Sequence, residues 1–413
     1  SGRVTGVQTC ALPIYLFREA VNEWLAKNLT LEQVRQNDTN HELPKKLIKG
    51  MGDLGLLCLT LPEEDGGSGA DWVTATIGAE ELGYADISVA APVFYLVQAS
   101  WGYVINKLAS ETVKEKYIRR AGSGNGFLGI GVTEPGGGSD VAGFKTNLVP
   151  HKDGGWNLNG EKCYISGTAE AVDLDGGYFV SGFTKREDGH RGMTAAFVPL
   201  NYEGVEITKR FENMGRMAIS TGGFQMTDVH IPEEYQLGET NRGFYNTMEG
   251  FDAARVLVSA SCIGASQRAL EIGMDYIKER EAFGQPLAKY QGIQFDLADM
   301  VAHHEAIKSL IYKTAWMLDE KYKNGRFSAL EVSKYLSMVK YLAPHHALDV
   351  FRRVMYWHGA YGYTQECPLE MGLRGVMSYC IGAEGAANIQ KIVISRETLG
   401  RNWTKTRDRK SVV

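Results

Sequence analysis

Ten residues, Gly131-Val-Thr-Glu-Pro-Gly-Gly-Gly-Ser-Asp140, follow directly on the strand-like run Gly126-Phe-Leu-Gly-Ile130. Four glycines, one proline and the hydroxyls of Thr133 and Ser139 suit a loop that holds a polar cofactor. Glycine lets the backbone reach φ > 0 and approach a ligand closely, and successive N–H groups make an anion-binding concavity. No Gly-Lys-Ser/Thr ends the loop, as in a Walker loop, and no Gly-x-Gly-x-x-Gly opens a helix, as in a dinucleotide fingerprint. On composition alone, a plain glycine-rich turn is an equal alternative.

Other reactive side chains exclude more than they suggest. His303-His304 and His345-His346 offer imidazoles, but adjacent helical residues point in different directions and no carboxylate or thiolate spacing completes a metal site. No metal is expected. Cys58, Cys163, Cys262, Cys367 and Cys380 are odd in number and contain no Cys-x-x-Cys pair. That pattern fits reduced thiols in a bacterial cytoplasm or, in a eukaryote, a mitochondrial matrix. The sixth cysteine, Cys10, lies in Val4-Thr-Gly-Val-Gln-Thr-Cys-Ala-Leu-Pro-Ile14, which reads as the translation of a sequencing-library adapter. Asp408-Arg-Lys-Ser-Val-Val413 reads the same way, so residues 1–14 and 408–413 are set aside as artefacts. The formal charge of −5 then becomes about −7, which offers no basic field for nucleic acid or an anionic membrane surface. The apolar stretch near Leu54–Leu61 is too short to span a bilayer.

The loop must be positioned by the elements around it. From Tyr15 to about Gly124 apolar residues recur at helical spacing, as in Leu16–Leu29, Leu43–Leu56 and Trp72–Tyr84. Between Asn125 and Gly238 the pattern changes to short strands, including Gly155–Ser166, Gly177–Ser181 and Thr194–Val198. After Phe244 long amphipathic helices return, and Pro344 is expected to kink or divide the one over Ser328–Tyr356.

A helical domain, a β domain and a helical bundle in this order resemble the acyl-CoA dehydrogenase family, and so do several blocks along nearly the whole chain. Gly131–Asp140 is similar to the family's first signature. Gly52–Gly67 is similar to its opening block, Gly160-Glu-Lys-Cys-Tyr-Ile-Ser166 to its second flavin-contacting strand, and Arg280-Glu-Ala-Phe-Gly-Gln-Pro-Leu287 to its bundle signature. The resemblance implies an α+β multidomain fold: an N-terminal helical domain (15–124), a middle β-barrel-like domain (125–238) and a C-terminal four-helix bundle (239–407).

It also implies FAD-dependent α,β-desaturation of an acyl-CoA thioester, with electrons passed to an electron-transferring flavoprotein. Removing an α proton and a β hydride requires a base, a hydride acceptor and carbonyl polarisation. No side chain accepts hydride, so the acceptor is a cofactor, and the resemblance names FAD, with hydride going to flavin N5. The family's base matches Glu384 in Glu384-Gly-Ala-Ala-Asn-Ile-Gln390, with Gly385 letting the loop reach the thioester. Some branches place the base where this chain has Ala254, which cannot serve. Arg374 precedes Glu384 by ten positions where the family usually has nine, and Gly382-Ala383 replaces an aromatic.

By the same resemblance Val132, Thr133, Gly138 and Ser139 contact the flavin, Tyr164 stacks on it and Ser166 meets its N5 region. Arg280, Phe283 and Gln291 reach the cofactor of a neighbouring subunit in a homodimer or homotetramer. Gly359 and Gly362 match the block for its adenosine half, in which Tyr356 and Ala360 depart from the pattern. Asp252, Arg255 and Ser139 match contacts to the CoA arm, although Asp252 and Arg255 read equally as a solvated helix pair. An acyl-CoA oxidase, a flavin monooxygenase of the same fold and a non-catalytic acyl-CoA- or flavin-binding homologue are the alternatives. Tyr84–Ala99 is expected to line the acyl pocket. The departures, Arg216 among them, point to a branched, cyclic or aromatic acyl group.

Overall fold

The computed structural model describes residues 7–404; the segment 408–413 lies outside them. Five helices of nine residues or more lead the N-terminal part: α1 (Val7–Asn28), α2 (Leu31–Asn40), α3 (Lys45–Asp53), α4 (Trp72–Ala85) and α5 (Ala90–Leu108). Helix α1 therefore takes in residues 7–14 of the adapter-like segment. Local chemistry sets the helix starts. Thr30 and Gln33 form a reciprocal capping box at α2, and Asp71 accepts from the Thr74 N–H at α4.

The middle part is one sheet of eight strands: β1 (Leu128–Gly131), β2 (Asn147–Pro150), β3 (Trp156–Ser166), β4 (Gly177–Phe183), β5 (Met193–Pro199), β6 (Val205–Arg210), β7 (Thr221–Ile231) and β8 (Gln236–Leu237). They run in the order β6-β7-β3-β2-β4-β5-β8, with β1 beside β4. Pairing is antiparallel except that β1 and β2 meet β4 in parallel. Strands β4 and β5 are buried along their whole length, which explains sequences that are apolar but for Ser181 and Thr194.

The C-terminal part holds α6 (Gly243–Glu279), α7 (Gln291–Asn324), α8 (Ala329–Trp357), α9 (Leu369–Ile381) and α10 (Ala387–Leu399). Pro344 sits inside α8 without dividing it. Helix α8 starts at a capping box of Ser328 and Glu331, and α7 ends at Gly325 in the left-handed region. The bundle packs directly on the N-terminal domain. A Cβ on Gly83 of α4 would lie 2.1 Å from the Ser261 carbonyl, and one on Gly264 of α6 would lie 1.9 Å from that of Glu80. The α4–α6 crossing depends on this glycine pair. Among the described residues no helix is long and apolar enough to cross a membrane, and no three His, Cys, Asp or Glu side chains group as metal ligands.

Candidate active site

A cavity of about 1790 Å³ opens between the sheet, α5, α6 and the α9–α10 loop. Pockets for one small ligand are commonly ~300–1000 Å³, so the space suits two large groups together. Val132, Thr133, Gly138, Ser139, Tyr164, Ser166, Asp252, Arg255, Glu384 and Gly385 all line it.

The glycine-rich loop is fixed by a carboxylate. Glu134 and Gly137 exchange two backbone hydrogen bonds of 3.1 and 3.0 Å, closing a turn over Pro135-Gly136. The buried Glu134 side chain accepts from the backbone N–H groups of Lys145 and Thr146, from the Thr146 hydroxyl and from Lys162 Nζ at 2.9 Å. Burial acts to raise its pKa, but Lys162 and these donors outweigh it and hold the carboxyl below its ordinary value. The loop is tied to β3 where Cys163 N donates to Thr133 O at 2.9 Å. None of its four glycines takes a positive φ, contrary to the sequence expectation. Gly136 and Gly137 instead leave open space where a Cβ would meet nothing.

Tyr164 reaches the cavity through a β-bulge. Lys162 pairs with Phe224 and Ile165 with Gly222, so two residues of β3 oppose Gly223 alone. Tyr164 takes φ 57° and is 63% exposed, its ring flanked by that of Phe211 at 4.5 Å. An exposed aromatic beside Ser166 and the loop hydroxyls presents a stacking face, hydroxyl donors and backbone together. That donor set fits a flavin.

Glu384 sits in a run of left-handed backbone, with φ 38° at Ala383, 62° at Glu384 and 98° at Gly385. Such geometry is uncommon for residues with a Cβ and persists only where neighbours impose it. Two side chains do so. Arg255 Nε donates to the Glu384 carbonyl at 3.1 Å, and Gln390 Nε2 donates to the carbonyls of Glu384 and Gly385 at 3.1 and 3.0 Å. From below, Lys340 Nζ donates to the Tyr379 carbonyl at 2.7 Å, near the end of α9. Glu384 is 8% exposed and its Oε2 has no hydrogen-bond partner among the described residues. Burial pushes its pKa up to about 7 against the pull of Arg255. A carboxyl group at that value can take or give a proton near neutrality.

Asp252 and Arg255 are not a solvated pair. They are 9% and 6% exposed, joined at 3.1 Å between Asp252 Oδ1 and Arg255 Nη1. On α5, Val93, Leu96 and Val97 line the cavity, whereas Phe94 is fully buried in the core. Sequence reasoning passed over Lys340, Tyr379 and the clamping role of Gln390. Only Gln390, inside the block that contains Glu384, carried a signal.

Arg280, Phe283, Gln291, Gly359 and Gly362 are not part of this cavity. They occupy the ends of α6 and α8 and the start of α7, where Tyr276 stacks on His358 at 4.0 Å. Arg280, Gln291 and Gly359 are exposed and Phe283 is 97% exposed. Gly362 is buried, and a Cβ there would lie 2.3 Å from the Met355 carbonyl, so close packing already requires glycine.

Residues 15–125, 129–229 and 241–399 match, in turn, the N-terminal, middle and C-terminal domains of acyl-CoA dehydrogenase. A probable acyl-CoA dehydrogenase, YngJ of Bacillus subtilis, is 32% identical over 93% of this chain and 97% of its own length. The caffeyl-CoA reductase-Etf complex subunit CarC of Acetobacterium woodii is 33% identical over 92% of this chain and 96% of its own. The structure of butyryl-CoA dehydrogenase from Megasphaera elsdenii superposes with a TM-score of 0.85 at 29% identity, covering 97% of this chain and 100% of that one. The chain belongs to the acyl-CoA dehydrogenase family of flavoprotein oxidoreductases.

Proposed function

We propose that the chain desaturates an acyl-CoA thioester between Cα and Cβ, with Glu384 as the base that takes the α proton. One observation carries this reading. The only unpartnered carboxylate oxygen among the buried side-chain atoms described is Glu384 Oε2, on a residue that lines the cavity and whose pKa burial pushes up to about 7. FAD is the cofactor, and when bound it accepts the β hydrogen as hydride. Tyr164 would stack on it, Ser166, Thr133 and Ser139 would donate hydroxyls, and Val132 and Gly138 would supply backbone.

The rest falls to the chain's own groups. Arg255 and Gln390 hold the carbonyls of the Glu384 loop, which leaves the carboxylate free to approach the α carbon and the Glu384 N–H free to polarise the thioester carbonyl. Val93, Leu96 and Val97 exclude water from the acyl group. Asp252 and Arg255 face the path of the CoA arm. The same carboxyl, protonated, would return a proton to Cα in the reverse reaction, and the A. woodii relative is named as a reductase.

That name also supports an electron-transferring flavoprotein as redox partner. The exposed Arg280, Phe283 and Gln291 support a homo-oligomer in which one copy completes the cofactor site of another. Anaerobic titration of the FAD-loaded protein with acyl-CoA thioesters of several chain lengths tests the reading. Bleaching of the oxidised flavin band is expected with at least one thioester; a flavin that stays oxidised with all of them removes it.

A further inference from the structure

We propose that the acyl group accepted by this site carries a carboxylate, seated on Arg216 and Tyr379. The inference rests on the desaturation reading above and names its substrate class. Arg216 lies in the loop between β6 and β7, lines the cavity, and is half-buried. Its backbone takes φ 49°, an uncommon conformation for a residue with a Cβ. Gly215 explains how its loop closes on the bundle. A Cβ there would lie 2.4 Å from the Arg374 carbonyl carbon, so the loop packs directly on α9, the helix that carries Tyr379.

Among the described residues Arg216 has no carboxylate within ion-pair distance; its one hydrogen bond is from Nη1 to Ser166 Oγ at 3.2 Å. The nearby Arg374, by contrast, is fully engaged by Asp38 and Glu370. A guanidinium presents five N–H donors and keeps its charge, so most of this one is left unanswered. Tyr379 also lines the cavity and is 1% exposed, and its hydroxyl has no partner. The charge of Arg216 acts on that phenol.

A half-buried cation without a counter-charge and a buried hydroxyl without a partner, at one wall of the cavity, are costly. A purely alkyl group would fill the space beside Val93, Leu96 and Val97 and leave both unsatisfied. A carboxylate at the far end of the acyl chain satisfies the two together, by charge-assisted hydrogen bonds.

The test compares CoA thioesters of matched length: adipyl-CoA against hexanoyl-CoA and pimelyl-CoA against heptanoyl-CoA. The readout is kcat/KM for anaerobic flavin reduction on the FAD-loaded full chain, with flavin content recorded for each variant. The wild type should favour the carboxylated member of each pair by about 100-fold, the worth of a strong charge-assisted pair. Arg216→Met should abolish that ratio, Arg216→Lys should retain part of it, and Tyr379→Phe should lower it about tenfold. Equal rates within each pair in the wild type overturn the proposal without needing any variant. So does a ratio that Arg216→Met leaves unmoved while flavin content falls, since Arg216 then serves the cofactor. If hexanoyl-CoA bleaches the flavin without a preference for adipyl-CoA, desaturation stands and only the carboxylate is lost. If none of the four thioesters bleaches it, both readings fall together.

Discussion

Arg255 holds the main-chain oxygen of Glu384 at 3.1 Å with Nε while its Nη1 pairs with Asp252 at 3.1 Å. One buried guanidinium thus links α6 to the loop that carries the proposed base. Replacing Arg255 by Met leaves Asp252 buried with only Lys321, at 3.9 Å, as counter-charge. Breaking a buried pair from one side costs about 3 kcal/mol or more. Urea unfolding should show that loss for Arg255→Met, and the double change with Asp252→Asn should recover part of it. Equal stabilities of the single and double variants would contradict the pairing.

Glu384 has its folded pKa raised to about 7, above its unfolded value. The folded state keeps the proton longer, so stability should fall as pH rises from about 4.5 to 7 and then level, by roughly 3 kcal/mol in all. Glu384→Gln should flatten this part of the profile. Proton removal needs the ionised form, so flavin bleaching should speed up as pH rises through about 7. Lys340, itself lowered to about 8 by burial, acts to lower the Glu384 pKa. Lys340→Met should therefore move the kinetic midpoint upward, and an unmoved midpoint would show that the lysine only packs.

Tyr164 owes its place to the bulge opposite Gly223. Removing the ring by Tyr164→Ala should weaken flavin binding by about 1 kcal/mol or more, the worth of an aromatic contact beyond area burial. Tyr164→Phe should retain it. Fluorescence titration of the apoprotein with FAD separates the two outcomes.

At the far end of the bundle, Phe283 is 97% exposed and Arg280 is exposed beside it. The double change Arg280→Glu and Phe283→Ala should lower both the oligomer size in sedimentation and the flavin content. A full-size assembly with normal flavin would separate these residues from the neighbouring site.

Periodicity made much of the fold legible, because α6, α8 and β3 carry their apolar residues at spacings that only one kind of element can bury. Positions that depend on long-range contacts were not legible. The β3 bulge at Tyr164 has no turn residue to announce it, since its register is set by β7. The left-handed run at Ala383 and Glu384 is imposed by Arg255 and Gln390, which are distant or on the next helix. Lys340 reads as an ordinary helical lysine until α9 lays the Tyr379 carbonyl against it. Conversely, the glycines of Gly131–Asp140 suggested left-handed backbone, and none of the four adopts it.

Removal of the α proton by Glu384 is tested by anaerobic reduction of the FAD-loaded Glu384→Gln variant with an acyl-CoA that bleaches the wild type. A lost general base costs at least 10²–10⁴-fold in rate. The variant should bind flavin and thioester but leave the oxidised band almost unbleached over the same time. Near-normal bleaching would contradict it, because the base would then have to be another group.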